Sequence, residues 1–439
     1  MKIMKVWIKI FLIWMIVQFF LQTFVTYILK IDNSAIWLWK EIFVLWFFVY
    51  VAWQIYRNKD FGIVQNNKYI YRLLWIFLAQ VVLGFLFSFF TWTSFSTFLL
   101  AFKYDFFGYF IFFVWYFMAF YTPQGFATSI AKRFGRVIVV MLIWAFFWYA
   151  LILVKPWWLK FFGYNPMINE WKVWQRPPAV YKTQQYYWYP RNQFLFERPI
   201  SFGFFLIAFW PLFFMIYIRK KSLRSTYWRW ILYWANIIFT FSRWAWIAFF
   251  LQIVALWILM YGKWFKKFFL KVLTPLVLVM LVFVVFWYRQ IVQREFSNTW
   301  HLNLLQKWLS MFLESPIIGK WAWYVWPASY QWWIQFNPEN QYVQVLVEFG
   351  IIVFLLWFVM FLFLSIYPLY LQWEDSKKLN KNTEFAYLVA MSVWMLWLAF
   401  QWLFLHSFVD RMIVYPFMII YWLLLGNYIR FPSTKKSLK

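Results

Sequence analysis

The chain has no cysteine, two histidines, eleven glycines among 439 residues, and 14 acidic side chains against 42 Lys and Arg. Without cysteine there is no disulfide and no thiolate metal site. His301 and His406 are too few for the usual imidazole-built metal centre, so neither metal nor other cofactor is expected. Charge of either sign is also scarce. Charged residues make up 13% of the chain, against 65% hydrophobic and 29% aromatic, which leaves too little polar surface for an ordinary soluble globule.

What is present is a series of apolar runs. Each is about 20 residues long, enough to cross about 30 Å of hydrocarbon as a helix. They fall near 8–29, 35–56, 73–91, 105–121, 137–155, 200–218, 229–242, 244–262, 270–287, 350–370, 385–405 and 412–429. The expected fold is an all-α polytopic membrane protein of about twelve transmembrane helices. Neither an internal repeat nor a low-complexity linker is visible, so residues 1–439 read as one membrane domain. The first run, flanked by Lys2, Lys5 and Lys9, has the look of a signal peptide, but no small-residue cleavage site follows and a retained span is expected.

The net charge of +28 is distributed in a way that argues against nucleic acid as a partner. Lys and Arg gather in alternate short connections: around 57–72, AKRFGR at 131–136, RKKSLR at 219–224, KWFKK at 263–267, and the KKSLK tail. By the positive-inside rule these face the cytoplasm, where they meet anionic lipid, and both termini lie there too. Two long connections, about 156–199 and about 288–349, are then left on the outer face, where binding and catalysis are expected.

The second of these loops is readable. SNTWHLNLLQKWLSMFLESP offers Ser297, Asn298 or Thr299 as a helix N-cap. Leu302, Leu305, Leu309, Phe312 and Leu313 follow on one face, and Asn303, Gln306, Lys307, Ser310 and Glu314 lie opposite. Pro316 ends the helix, which is expected to lie along the membrane surface. Further on, Pro338 breaks the chain, Glu339 sits at the mouth of the next span, and Asn340 can cap it.

The order TFSRWAW (240–246), HLNLLQKWLSMFLESPIIGKWAW (301–323) and NPENQYVQVLVEFGII (337–352) resembles the O-antigen ligase and O-antigen polymerase family of membrane glycosyltransferases. YPRNQFLFERPISFGFFLIAFWPL (189–212) looks like the segment leaving that family's earlier outer loop. The resemblance covers roughly 185–370; the N-terminal third shares only hydropathy. It implies multi-pass residence in the bacterial cytoplasmic membrane, surface-polysaccharide assembly, and two substrates. One is a polyprenyl-diphosphate-linked glycan donor and the other a glycan or lipid acceptor. Ligase and polymerase remain alternatives. A lipid-linked oligosaccharide flippase or other transporter is the further one, but a central ionisable pathway is missing, because Lys40, Glu41, Lys103 and Asp105 fall near expected span ends.

Site residues follow from the same resemblance. Arg243 matches the family's Ser-Arg pair, and Arg191 and Arg198 precede the sixth span. Guanidinium forks suit the oxygens of a donor diphosphate. Where the family usually has a histidine before the asparagine of the last motif, this chain has Glu339. Where an arginine often opens the surface helix, it has His301. Glu339 is the expected general base, with Asn340 orienting it and His301 assisting.

Trp321, Trp323, Trp326 and Trp244 occupy places where that family carries glycine, and the chain holds 38 Trp beside its 11 Gly. One hypothesis is that many of these are UGA codons of a bacterium that decodes UGA as glycine. An aromatic belt would gather Trp at helix ends, yet Trp144, Trp357 and Trp397 are mid-span. UGG at codons 321, 323 and 326 would refute the reassignment.

Overall fold

The computed structural model describes residues 2–25, 29, 35–63, 67–90, 95–155, 158, 191–196, 199–218, 223–261, 295–320, 340–374, 383–401 and 411–430. Every regular element among them is helical. In chain order these are α1 (Lys2–Thr23), α2 (Ala35–Asn58), α3 (Lys68–Phe90), α4 (Phe95–Ala101), a π-helical turn (Phe102–Phe106) and α5 (Phe107–Ala119). Then come α6 (Phe126–Val154), α7 (Pro199–Ile218), α8 (Leu223–Phe239), α9 (Arg243–Tyr261) and α10 (Glu295–Glu314), followed by α11 (Gln341–Glu374), α12 (Thr383–Gln401) and α13 (Arg411–Arg430).

Each expected span coincides with one of these helices except that near 270–287, which lies outside the described residues. By length and composition, α3, α6, α7, α13 and Gln341–Leu371 of α11 can cross a membrane; shorter apolar helices are Val6–Met15, Phe107–Ala119, Ala245–Leu256 and Thr383–Leu398. The protein is an all-α, polytopic membrane protein.

Burial separates the inner helices from the outer ones. α5, α7 and α13 are buried almost all round. α13 packs on α5, α12 packs on α7, and α9 and α11 both pack against α12. The peripheral helices keep one apolar face exposed: Trp75, Leu78, Val82, Leu86 and Phe89 on α3, and Val140, Trp144 and Phe147 on α6. Steps of three and four residues put each set on one side, the side that meets lipid. α1 docks on α13 and α6, burying Ile8, Phe11, Leu12 and Met15.

Several polar groups in this interior are paired across helices, which a medium without water favours. Lys103 of the π turn forms an ion pair with Glu41 of α2 at 3.1 Å. Tyr421 of α13 donates to the Leu364 carbonyl of α11 at 3.0 Å and meets Ser392 of α12 at 2.9 Å.

Candidate active site

The first polar assembly is the turn from α8 to α9. A helix leaves its last carbonyls without internal partners, and at the end of α8 the chain supplies replacements. Asn192 donates its backbone N–H to the Phe239 carbonyl at 2.7 Å, and the Trp246 indole donates to the Ile237 carbonyl at 3.1 Å. Arg191 donates through Nε to the Thr240 carbonyl at 2.8 Å and through Nη2 to that of Phe241 at 3.0 Å. A cation at a helix C-terminus is also favoured by the helix dipole. The Arg191 fork therefore holds the turn on which Arg243 sits.

Ser242 caps α9. Its Oγ accepts from Ala245 N at 3.4 Å and its carbonyl from Trp246 N at 3.1 Å. Arg243 is the first residue of α9. α7 starts at Pro199, a residue suited to a first helical position because its missing N–H would be unpartnered there anyway. Gly203 lets its first turns pack onto the cap: a Cβ there would lie 3.0 Å from Ala245 Cβ and 3.7 Å from Ser242 Cβ. The N-termini of α7 and α9 thus open close together, both favouring negative charge. Arg198, just ahead of α7, lies outside the described residues.

Two asparagines that sequence reading passed over secure this region. Buried Asn192 donates Nδ2 to Asn236 Oδ1 at 3.0 Å, and Asn236 donates on to the carbonyls of Leu142 (3.2 Å) and Leu232 (2.8 Å). The available signal was Asn236 itself, an amide inside the apolar run YWANIIF.

The second assembly is the mouth of α11. Asn340 caps it as expected, with Oδ1 accepting from Val343 N at 3.0 Å and its carbonyl from Gln344 N at 3.0 Å. Gln341, Gln344 and Glu348 share one face of the helix. They meet Asp105, which the π turn presents toward them. Asp105 Oδ1 accepts from Gln341 Nε2 at 3.2 Å and from Gln344 Nε2 at 3.0 Å, and the Glu348 carboxyl is within hydrogen-bond reach. All four residues are buried. The π geometry is visible in Phe107 N–H bonding to the Phe102 carbonyl, five residues back. The Asp105 carbonyl accepts from the Trp357 indole at 3.3 Å.

α10 leads into this mouth. It begins at Glu295, so Ser297, Asn298 and Thr299 lie inside it rather than capping it, and His301 falls in its second turn. Leu304 and Trp308 are buried with Val347 of α11, while Leu305, Leu309 and Leu313 stay exposed along one edge. After Glu314 comes the stretch Ser315–Lys320, which plugs a break in α11. At Gly350 the backbone leaves the helix, with φ 73° and ψ 178°. In an unbroken helix Ile351 N would bond the Val347 carbonyl. Here Ile351 N donates to the Pro316 carbonyl at 2.9 Å, and Lys320 N donates to the Val347 carbonyl at 2.8 Å. One helical bond is replaced by two, between backbones that touch through Gly319 and Gly350.

Residues 230–358 match the family model described as O-antigen ligase. This stretch of the chain is similar to the O-antigen ligase family. The matched stretch takes in Asn236, the Ser242–Arg243 turn, α10, the Gly319–Gly350 contact and the mouth of α11; Arg191, Arg198 and Asp105 lie outside it. No curated protein and no solved structure matches the chain. Of the expected site residues, Arg191 is brought onto the Ser242–Arg243 turn, and Asn340 onto the mouth that Asp105 anchors. Glu339 lies outside the described residues. No group of three or more His, Asp or Glu side chains converges among the described residues.

Proposed function

We propose that the chain moves a glycan from a polyprenyl-diphosphate carrier to an acceptor hydroxyl at the outer face of the bacterial cytoplasmic membrane, both termini being cytoplasmic. The observation that carries this reading is the O-antigen ligase match, which takes in the Ser242–Arg243 turn and the mouth of α11. The geometry supports it further. Two helix N-termini open beside Arg243 on a turn that Arg191 immobilises, an arrangement suited to a diphosphate.

In this mechanism Arg243, aided by Arg198, holds the diphosphate, and Arg191 positions the turn. Glu339, the residue before the Asn340 cap, takes the proton of the acceptor hydroxyl with the assistance of His301. The acceptor oxygen bonds to the anomeric carbon as the bond from that carbon to the diphosphate oxygen breaks. The carrier leaves as polyprenyl diphosphate. No metal or nucleotide enters any step.

Purified protein supplied with a polyprenyl-diphosphate glycan and an acceptor, without nucleotide and with chelator present, should form the glycosidic product. Absence of product with every donor and acceptor pair, from folded protein, would reject the reading. A second lipid-linked glycan as the productive acceptor would mark a polymerase, and a lipid A core acceptor a ligase.

A further inference from the structure

Asp105 and Glu348 are 0% and 1% exposed, and their carboxyls lie within hydrogen-bond reach of each other. An ionised carboxylate only accepts hydrogen bonds, so a bond between two carboxyls requires a proton on one of them. Two buried like charges at that separation disfavour ionisation of both. The surroundings agree: Lys103, the cation on the same π turn, is engaged by Glu41 of α2, and the groups donating to Asp105 Oδ1 are the neutral amides of Gln341 and Gln344.

We propose that Asp105 and Glu348 share a single proton and that the pair, through Gln341 and Gln344, is the clamp fixing the first two turns of α11. Asp105 is then a positioning residue. It touches neither donor nor acceptor, but it sets the Asn340-capped mouth of α11, next in sequence to the proposed base. This last consequence rests on the reaction proposed above, whereas the clamp itself does not. The π turn has a specific part in it. Its extra residue allows Lys103 to reach α2 and Asp105 to reach α11 from positions two apart, tying both helices to one short segment.

The test uses the full chain in lipid nanodiscs and reads amide hydrogen exchange, which needs no substrate. Asp105→Ala should raise exchange across 341–348 by about tenfold or more and leave α13 unchanged. Asp105→Asn should stay within about twofold of wild type, because its amide oxygen still accepts from the two glutamines and its N–H replaces the shared proton. Glu348→Gln should behave like Asp105→Asn, and supplies the test if Asp105→Ala fails to insert. Unaltered exchange in Asp105→Ala overturns the proposal, as does Asp105→Asn or Glu348→Gln as loose as an alanine variant. Transfer by the same variants, where wild type shows it, should fall in Asp105→Ala and recover in Asp105→Asn. A wild type without transfer but with the expected exchange pattern would reject the reaction and leave the clamp standing.

Discussion

Gly350→Ala is expected to destabilise the protein by at least about 3 kcal/mol and to abolish transfer. At φ 73° and ψ 178° the residue occupies a region open essentially to glycine alone. A Cβ there would lie 2.1 Å from the Ile317 carbonyl oxygen and 2.8 Å from Gly319 N. These are backbone atoms, held by the Lys320–Val347 and Ile351–Pro316 hydrogen bonds, and they cannot swing aside. Gly319→Ala meets the same obstacle from the other side, its Cβ 2.4 Å from the Glu348 carbonyl oxygen at φ 75°. Gly125 is the internal control: its φ is 74°, but nothing lies within 4 Å of its Cβ. Gly125→Ala should therefore cost only the dihedral penalty of about 1–2 kcal/mol. Thermal unfolding in detergent should rank Gly350→Ala and Gly319→Ala well below Gly125→Ala. Equal midpoints for all three would mean that the contact between α11 and the 315–320 turn is absent.

Glu339→Gln should slow transfer by about 10²–10⁴-fold, the usual loss when a positioned general base is removed. The substitution keeps size and hydrogen bonding but removes the proton acceptor, so donor affinity should hold while turnover falls. Arg243→Lys should act differently. It retains charge and loses the fork, and each charge-assisted hydrogen bond forfeited is worth about 1.5–3 kcal/mol. Transfer should fall about ten- to a hundredfold for one such bond, with donor binding weakened in step. Steady-state kinetics with a defined lipid-linked donor separates the two patterns. Near-normal turnover in folded Glu339→Gln would remove the base role and move it to His301.

The helical architecture was legible because in a membrane span composition and length carry the signal, and every apolar run within the described residues became a helix. The Asn340 cap was legible for the same reason, a local rule with a local cause. What escaped was what depends on distant segments. Asp105 reads as a residue near a span end, and only the fold brings it to Gln344, 239 positions away. Arg191 reads as a substrate arginine or a helix anchor; the fold shows two of its donors on the carbonyls of Thr240 and Phe241. The pairing of Gly319 with Gly350 was equally hidden, since each glycine is ordinary until the other's backbone arrives. The tryptophans divide along similar lines. Trp357 earns its indole by donating to the Asp105 carbonyl. Trp115, Trp210 and Trp394 are buried with indole N–H groups that have no hydrogen-bond partner among the described residues, a cost glycine would not incur at those places.

The central claim is that the Ser242–Arg243 turn and the mouth of α11 serve one reaction, and a structure with a non-hydrolysable polyprenyl-diphosphate glycan bound tests it most directly. The diphosphate should lie within about 3 Å of the Arg243 guanidinium. The first sugar's anomeric carbon should face Glu339. A diphosphate bound away from Arg243, or packed protein between Arg243 and Glu339 with no cavity joining them, would contradict the account.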